Sequence, residues 1–195
     1  MKQLEVVLGS LIILLMVFSL LVLMPYASGI LTLLCLFLGG LYFYLSFLLL
    51  NNIRLRHAFK KNSYDHVSLW RLLGTIFTGV VLALVVIYAL FKFQSWPYGQ
   101  DGLSISLGLL IFVIAIVLLK LYQTKHAFYR NLLKRLLIIG CLASILFLLS
   151  YEQILEIRYR DYPDYIKAEK EFMADPTNTM LEQRANEERM KIDLK

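Results

Sequence analysis

Hydrophobic residues run through this chain in blocks long enough to cross a bilayer. Val6 to Ile53 is 48 positions without Asp, Glu, Lys, Arg or His. A spanning helix needs about 20 apolar residues, because a helix rises about 1.5 Å per residue and the hydrocarbon core is about 30 Å thick. The run therefore holds two crossings with a turn between them. Three more uncharged stretches follow: Leu72–Phe91, ended by Lys92; Gly102–Leu119, between Asp101 and Lys120; and Leu136–Tyr151, between Arg135 and Glu152. The pattern predicts an all-α, polytopic transmembrane helical bundle. Its five spanning helices fall near residues 6–24, 28–50, 70–93, 102–122 and 132–151. The last has the shortest uncharged core, and Lys134 and Arg135 extend it by snorkelling.

The breaks have chemical causes. Pro25 cannot donate a helix hydrogen bond, and Gly29 loosens the backbone four residues later. Ser95-Trp96-Pro97-Tyr98-Gly99 repeats that logic more strongly. Two units follow: a transmembrane helical domain over 1–151 and a polar, amphipathic helical tail over 152–195.

Composition agrees with a membrane protein. The chain is 59% hydrophobic and 17% charged, with a mean hydropathy of +0.66. That is too apolar for a soluble fold. The net charge of +6 does not indicate nucleic-acid binding, because its distribution decides its meaning. Residues 1–150 hold 12 Lys/Arg and three acids, Glu5, Asp65 and Asp101; residues 151–195 hold eight Lys/Arg and 11 acids. Arg54, Arg56, Lys60, Lys61 and Arg71 lie between helices two and three, and Lys120, Lys125, Arg130, Lys134 and Arg135 between helices four and five. By the positive-inside rule both basic segments are cytoplasmic. The expected location is thus the bacterial inner (plasma) membrane, multi-pass, with the N-terminus cytoplasmic and the tail outside. Trp70 and Trp96 bracket helix three about 39 Å apart along a helix. With Pro97 they are the expected interface anchors. A cleaved signal peptide over residues 1–28 fits less well, since the apolar core is long and no A-x-A site precedes Ala27-Ser28-Gly29.

A pattern recurs along the chain. Pro25-Tyr26 and Gly29 return as Pro97-Tyr98 and Gly102. His57-Ala58-Phe59 returns as His126-Ala127-Phe128, and Arg71-Leu72-Leu73 as Arg135-Leu136-Leu137. Tyr162-Pro163 follows the last of these. The order is that of a duplicated two-helix unit whose copies run parallel; chance matches in apolar sequence are the alternative.

Candidate chemistry is sparse. No ionisable group falls at a predicted helix midpoint, and no acid lies inside a predicted span, which argues against a charged pathway. Ser10, Ser19, Ser46, Thr75, Thr78, Ser104, Ser106 and Ser144 can bond their own helix backbone. Cys35 and Cys141 lie in apolar runs and read as small hydrophobes. His57 and His126 are either ligands or interfacial residues beside Phe, and the second reading is favoured; His66 has no partner in the sequence. No zinc or haem motif is present, so no metal, no cofactor and no catalytic set are expected. Gly39-Gly40, beside Tyr42 and Tyr44, reads as a close helix crossing, with a ligand groove as the alternative. The basic segments attract anionic head groups without specificity.

In the tail, Glu152, Glu156 and Arg160 predict that helix five continues outward as a charged stripe. Pro163-Asp164 opens a short helix with Tyr165, Ile166, Phe172 and Met173 on a loose apolar face, and Asp175-Pro176 ends it. Thr179-Met180-Leu181-Glu182 matches a capping box opening another helix, in which Glu187 and Lys191 pair. Tyr165, Phe172 and Met173 are the candidate partner contacts.

Phe91-Lys92-Phe93-Gln94-Ser95-Trp96-Pro97-Tyr98-Gly99 resembles the Phe-Lys-x-x-His-Trp-Pro-Gly segment of the L-class gliding-motility and type IX secretion membrane proteins of Bacteroidota. Ser95 stands where that family has His, and Tyr98 intervenes before Gly99. The resemblance covers about nine residues. It implies lineage and an outer-interface turn. That family has two spanning helices and a charged intramembrane residue, so its motor role does not carry over. The reading that results is a non-enzymatic accessory or assembly subunit of an envelope complex. Its partners are the lipid bilayer and either an envelope-complex protein or further copies of itself, and no nucleic acid. A small transporter or channel is the alternative, and a lipid-modifying enzyme the third reading.

Overall fold

A computed structural model describes residues 2–22, 26–51, 53, 56 and 67–193. Among these residues 87% are helical and none forms a strand. Five long helices come first: α1 (Lys2–Leu21), α2 (Ala27–Leu50), α3 (Leu69–Phe93), α4 (Gly99–Thr124) and α5 (Ala127–Leu148). Each is long and apolar enough to cross a membrane. Three shorter helices follow, α6 (Tyr151–Arg158), α7 (Pro163–Ala174) and α8 (Thr179–Asp193). The chain is an integral membrane protein with five apolar helices and a helical tail.

The long helices alternate in direction. Thr32, early in α2, meets Gln94 just past α3, while Asn51 at the end of α2 meets Thr75 early in α3. Arg71 and Phe128, near the starts of α3 and α5, also meet. The end carrying the N-terminus of α1 is called inner here, and the other outer. The tail emerges at the outer end.

α3 is the hub and packs on α2, α4 and α5; α1 packs on α2 and on α6. Buried positions on α2 recur at Leu31, Cys35, Leu38, Tyr42 and Leu49, the 3–4 spacing of a helix face turned to a neighbour. Opposite faces carry exposed Leu, Ile, Phe and Val. In a bilayer those residues meet acyl chains, so helix association depends on fit and on polar contacts, since lipid is as apolar as leucine.

Fit is close where Gly79 of α3 lies against Ser46 and the Tyr42 carbonyl of α2, where a Cβ would overlap both. The expected crossing at Gly39-Gly40 is half present. A Cβ on Gly39 would stand 3.1 Å from Ile87 Cδ1, whereas the space beside Gly40 is open. Tyr42 and Tyr44 do not line one groove. Tyr42 is buried and Tyr44 is exposed, because residues two apart on a helix point about 200° apart.

The turns explain the boundaries. Tyr26 and Tyr98, the tyrosines of the recurring Pro-Tyr pattern, are both left-handed residues preceding a helix, with φ of 66° and 62°. α3 closes with a Schellman motif: Ser95, at φ 61°, donates its N–H to the Lys92 carbonyl at 3.2 Å and Trp96 to the Phe91 carbonyl at 2.8 Å. Gly99 opens α4 against the Lys92 backbone, 2.6 Å from where its Cβ would sit. Pro25, His57, Ala58, Phe59, Asp65, His66, Arg54, Lys60 and Lys61 lie outside the described residues.

Three expectations change. α1 begins at Lys2, not near residue 6, which brings Glu5 inside a spanning helix. α5 runs from Ala127 to Leu148 and does not continue outward. Ser150 accepts the Gln153 N–H at 3.1 Å and Gln153 accepts the Ser150 N–H at 2.8 Å, a capping box that starts α6 afresh. α8 is capped one residue early, since Asn178 Oδ1 accepts the Met180 N–H at 3.1 Å, and Lys191 pairs with Glu188 at 2.6 Å, not with Glu187.

Gly79→Ala is expected to destabilise the protein in detergent by about 1–3 kcal/mol through overpacking. Gly40→Ala, which enters open space, should instead gain up to about 1 kcal/mol from helix propensity. Thermal unfolding of the two variants reads the difference, and equal midpoints would show that the α2–α3 seam tolerates a methyl group.

Candidate functional site

The inner half of the bundle holds a charged cluster contributed by three helices. Glu5, in the first turn of α1, is 9% exposed and Tyr42 of α2 is 2% exposed. The Tyr42 phenol donates to Glu5 Oε1 at 2.9 Å. Arg135 of α5 places Nη1 3.3 Å from Glu5 Oε2 and donates from the same nitrogen to the Leu49 carbonyl at 3.5 Å. Glu5 Oε2 accepts no aligned hydrogen bond, so the guanidinium faces it as a charge more than as a donor.

Local sequence puts each group there. Glu5, Leu8 and Ile12 are buried along one face of α1. A carboxylate in a first turn also complements the positive end of the helix dipole. Tyr42 belongs to the buried face of α2, and Arg135 precedes the fully buried Leu136 on α5. Burying a carboxylate alone costs several kcal/mol, so its two partners are what make this position habitable. A charged group within a span is a functional candidate on physical grounds. Beside it, Asn51 Nδ2 donates to Thr75 Oγ1 at 3.2 Å, and the Arg71 guanidinium sits 3.7 Å above the Phe128 ring.

Four of the eight hydroxyls expected to bond their own helix do so. Ser19, Thr75, Thr78 and Ser106 donate to carbonyls three or four residues back. Ser46, pressed on Gly79, has no hydrogen-bond partner. His126 caps α5, its Nδ1 accepting the Phe128 N–H at 3.1 Å. Among the described residues no three His, Cys, Asp or Glu groups gather as a metal site.

At the outer end the tail folds into a cap. Arg160 donates to the Leu21 carbonyl at the end of α1, at 3.3 Å. The Tyr151 phenol donates to Glu169 of α7 at 3.3 Å. Lys170 of α7 reaches Glu156 at 2.5 Å and Glu152 at 3.6 Å, tying α7 to α6. Arg184 of α8 meets Glu171 of α7 at 2.7 Å. Below the cap, Gln94 donates to the Ser28 carbonyl at 2.9 Å and bonds Thr32, and buried Lys92 donates to Gln100.

Trp70 stands 84% exposed at the start of α3, and Trp96 is 41% exposed in the outer turn. The Trp96 ring meets Phe91 edge-on at 5.0 Å, and Pro97 beside it is exposed. Tyr165 is buried and packs edge-on against Tyr159 at 4.7 Å. Phe172 and Met173 are half-buried. Tyr165 therefore serves inside the cap, while Phe172 and Met173 keep part of their surface free. Glu5 is the residue sequence reasoning missed. It lies one position outside the uncharged run, and its scarcity was the available signal, since it is one of three acids in the first 150 residues.

Comparison with known proteins finds no matching family model, no matching curated protein and no matching solved structure.

Tyr42→Phe keeps the ring and deletes the bond to a buried carboxylate. It should cost about 1.5–3 kcal/mol, read as a lower unfolding temperature in detergent. A midpoint equal to the wild type would mean that Glu5 does not depend on the phenol.

The cap should loosen in alkali. Its carboxylate partners raise the Lys170 pKa, with the Glu156 hydrogen bond the largest cause. Burial raises those of Tyr151 and Tyr165. A raised folded pKa gives stability that is complete below the unfolded value, about 10 for these groups, and is lost as pH rises through the folded one. Tyrosinate absorbance should thus appear later than for free tyrosine and together with protease cleavage inside the cap. Cleavage at neutral pH as fast as in alkali would contradict this.

Proposed function

We propose that this protein is a non-enzymatic accessory or assembly subunit of an envelope complex in the bacterial inner membrane, with its N-terminus cytoplasmic and its cap outside. The observation that carries the reading is the cap. Its helices have a capping box on α6, a proline start on α7 and interhelix ion pairs, and it is bonded to α1. A tail that served only to end the chain needs no such specification. Phe172 and Met173, half-exposed, and Met180 and Met190, exposed, offer apolar surface among mixed charges, the composition of a protein-binding patch. The charge bias supports the orientation, and the Trp-Pro segment fits an envelope setting.

A small transporter or channel is the second reading, and the Glu5–Tyr42–Arg135 cluster favours it, since charged groups in spans often mark substrate or ion paths.

Truncation after Arg160 separates the two. It keeps the five long helices, α6 and the Arg160 contact to Leu21. The truncated protein is expected to insert and accumulate but to lose its partner on co-purification after mild detergent extraction. Retention of every partner after truncation would refute the subunit reading and return function to the bundle.

A further inference from the structure

We propose that Arg135 is an anion site at the inner-leaflet end of the bundle, that its ligand is the phosphate of an anionic phospholipid, and that Glu5 is its built-in occupant. A guanidinium carries five N–H donors in a fixed fork. Here one long bond to the Leu49 carbonyl and one unaligned carboxylate oxygen are all that the described residues supply. The Arg135 side chain remains 18% exposed, so the fork is open to its surroundings. Those surroundings are the head-group region. Arg130 and Lys134 are exposed on the same helix, and long basic side chains sit where they can reach that layer.

Carboxylate and phosphate present the same oxygen geometry to an arginine fork, and phosphate offers more acceptors. The helix that supplies the carboxylate is peripheral. α1 touches α2 within the membrane and α6 beyond it, and Glu5 is its charged link to α5. The basic residues of this end draw anionic lipids to the surface. A phosphate that takes Arg135 releases Glu5 and, with it, the hold of α1 on α5. Lipid composition thereby sets how firmly α1 is docked. This inference does not depend on the cap or on any envelope partner.

The test uses the full-length protein reconstituted in phosphatidylcholine bilayers containing phosphatidylglycerol. Phosphatidylglycerol retained after re-extraction is counted by native mass spectrometry. Glu5→Gln, which empties the carboxylate from the site, should retain about fivefold more than the wild type, the factor for one additional basic contact at the membrane surface. Asp101→Asn, at an exposed acid in the first turn of α4 at the outer end, changes net charge equally and should give no gain. Adding Arg135→Gln to Glu5→Gln should abolish the gain. If Glu5→Gln is not recovered monodisperse, Glu5→Asp withdraws the carboxylate by one methylene and should give a smaller gain in the same direction. Retention unchanged in both Glu5 variants, or raised equally by Asp101→Asn, overturns the proposal. Release of the retained lipid by inorganic phosphate at millimolar concentration would overturn the lipid assignment in favour of free phosphate.

Discussion

A hydrocarbon layer offers no hydrogen-bond partner, and that constraint orders this protein. Every backbone N–H and C=O within the layer must bond inside its own segment, which leaves helices as the form available to these apolar runs. The same demand reaches the side chains. Ser19, Thr75, Thr78 and Ser106 turn back to their own carbonyls. Lys92 finds Gln100, and Glu5 finds Tyr42 and Arg135. Polar groups inside the bundle are thus few, and the charged ones named here, Glu5 and Lys92, are answered by another helix.

What holds the helices to one another follows from that scarcity. Leucine on leucine gains little over leucine on lipid, so the specific contacts carry the arrangement. α3 occupies the centre because it presents something different on each side. Gly79 allows α2 to come close, Tyr88 fills the space left by Gly102 on α4, and Arg71 lies across Phe128 on α5. α1 has no comparable seam and leans on one buried carboxylate inside and on the Arg160 contact outside.

The two ends differ in chemistry and so in what they can do. The inner end gathers charge within the bundle, where a carboxylate and a guanidinium are worth keeping only as a pair. The outer end gathers charge in water, where Lys170, Arg184 and their acids tie short helices together at modest strength. A partner that binds the cap and a lipid that binds at Arg135 would act on opposite ends of the same bundle, with α1 touching both.

Five long apolar helices and the position of the outer turn could be read from the chain, because each rests on local properties: hydropathy over a span's length and the missing N–H of proline. The helix starts at Ala27, Leu69 and Pro163 fall within a residue or two of the pattern for that reason. The first helix did not. A charge at position 5 reads as the edge of a span until the fold brings Tyr42 and Arg135, 37 and 130 residues away, against it. The break at Ser150 was local and was masked by a plausible i, i+4 stripe, which a capping box outweighs. Membership of Tyr42 in the core and of Tyr44 in the lipid face, the contact at Gly79, and the assembly of the tail into a cap were decided only by tertiary structure. Hydropathy states that a residue avoids water; it does not distinguish a lipid from a neighbouring helix.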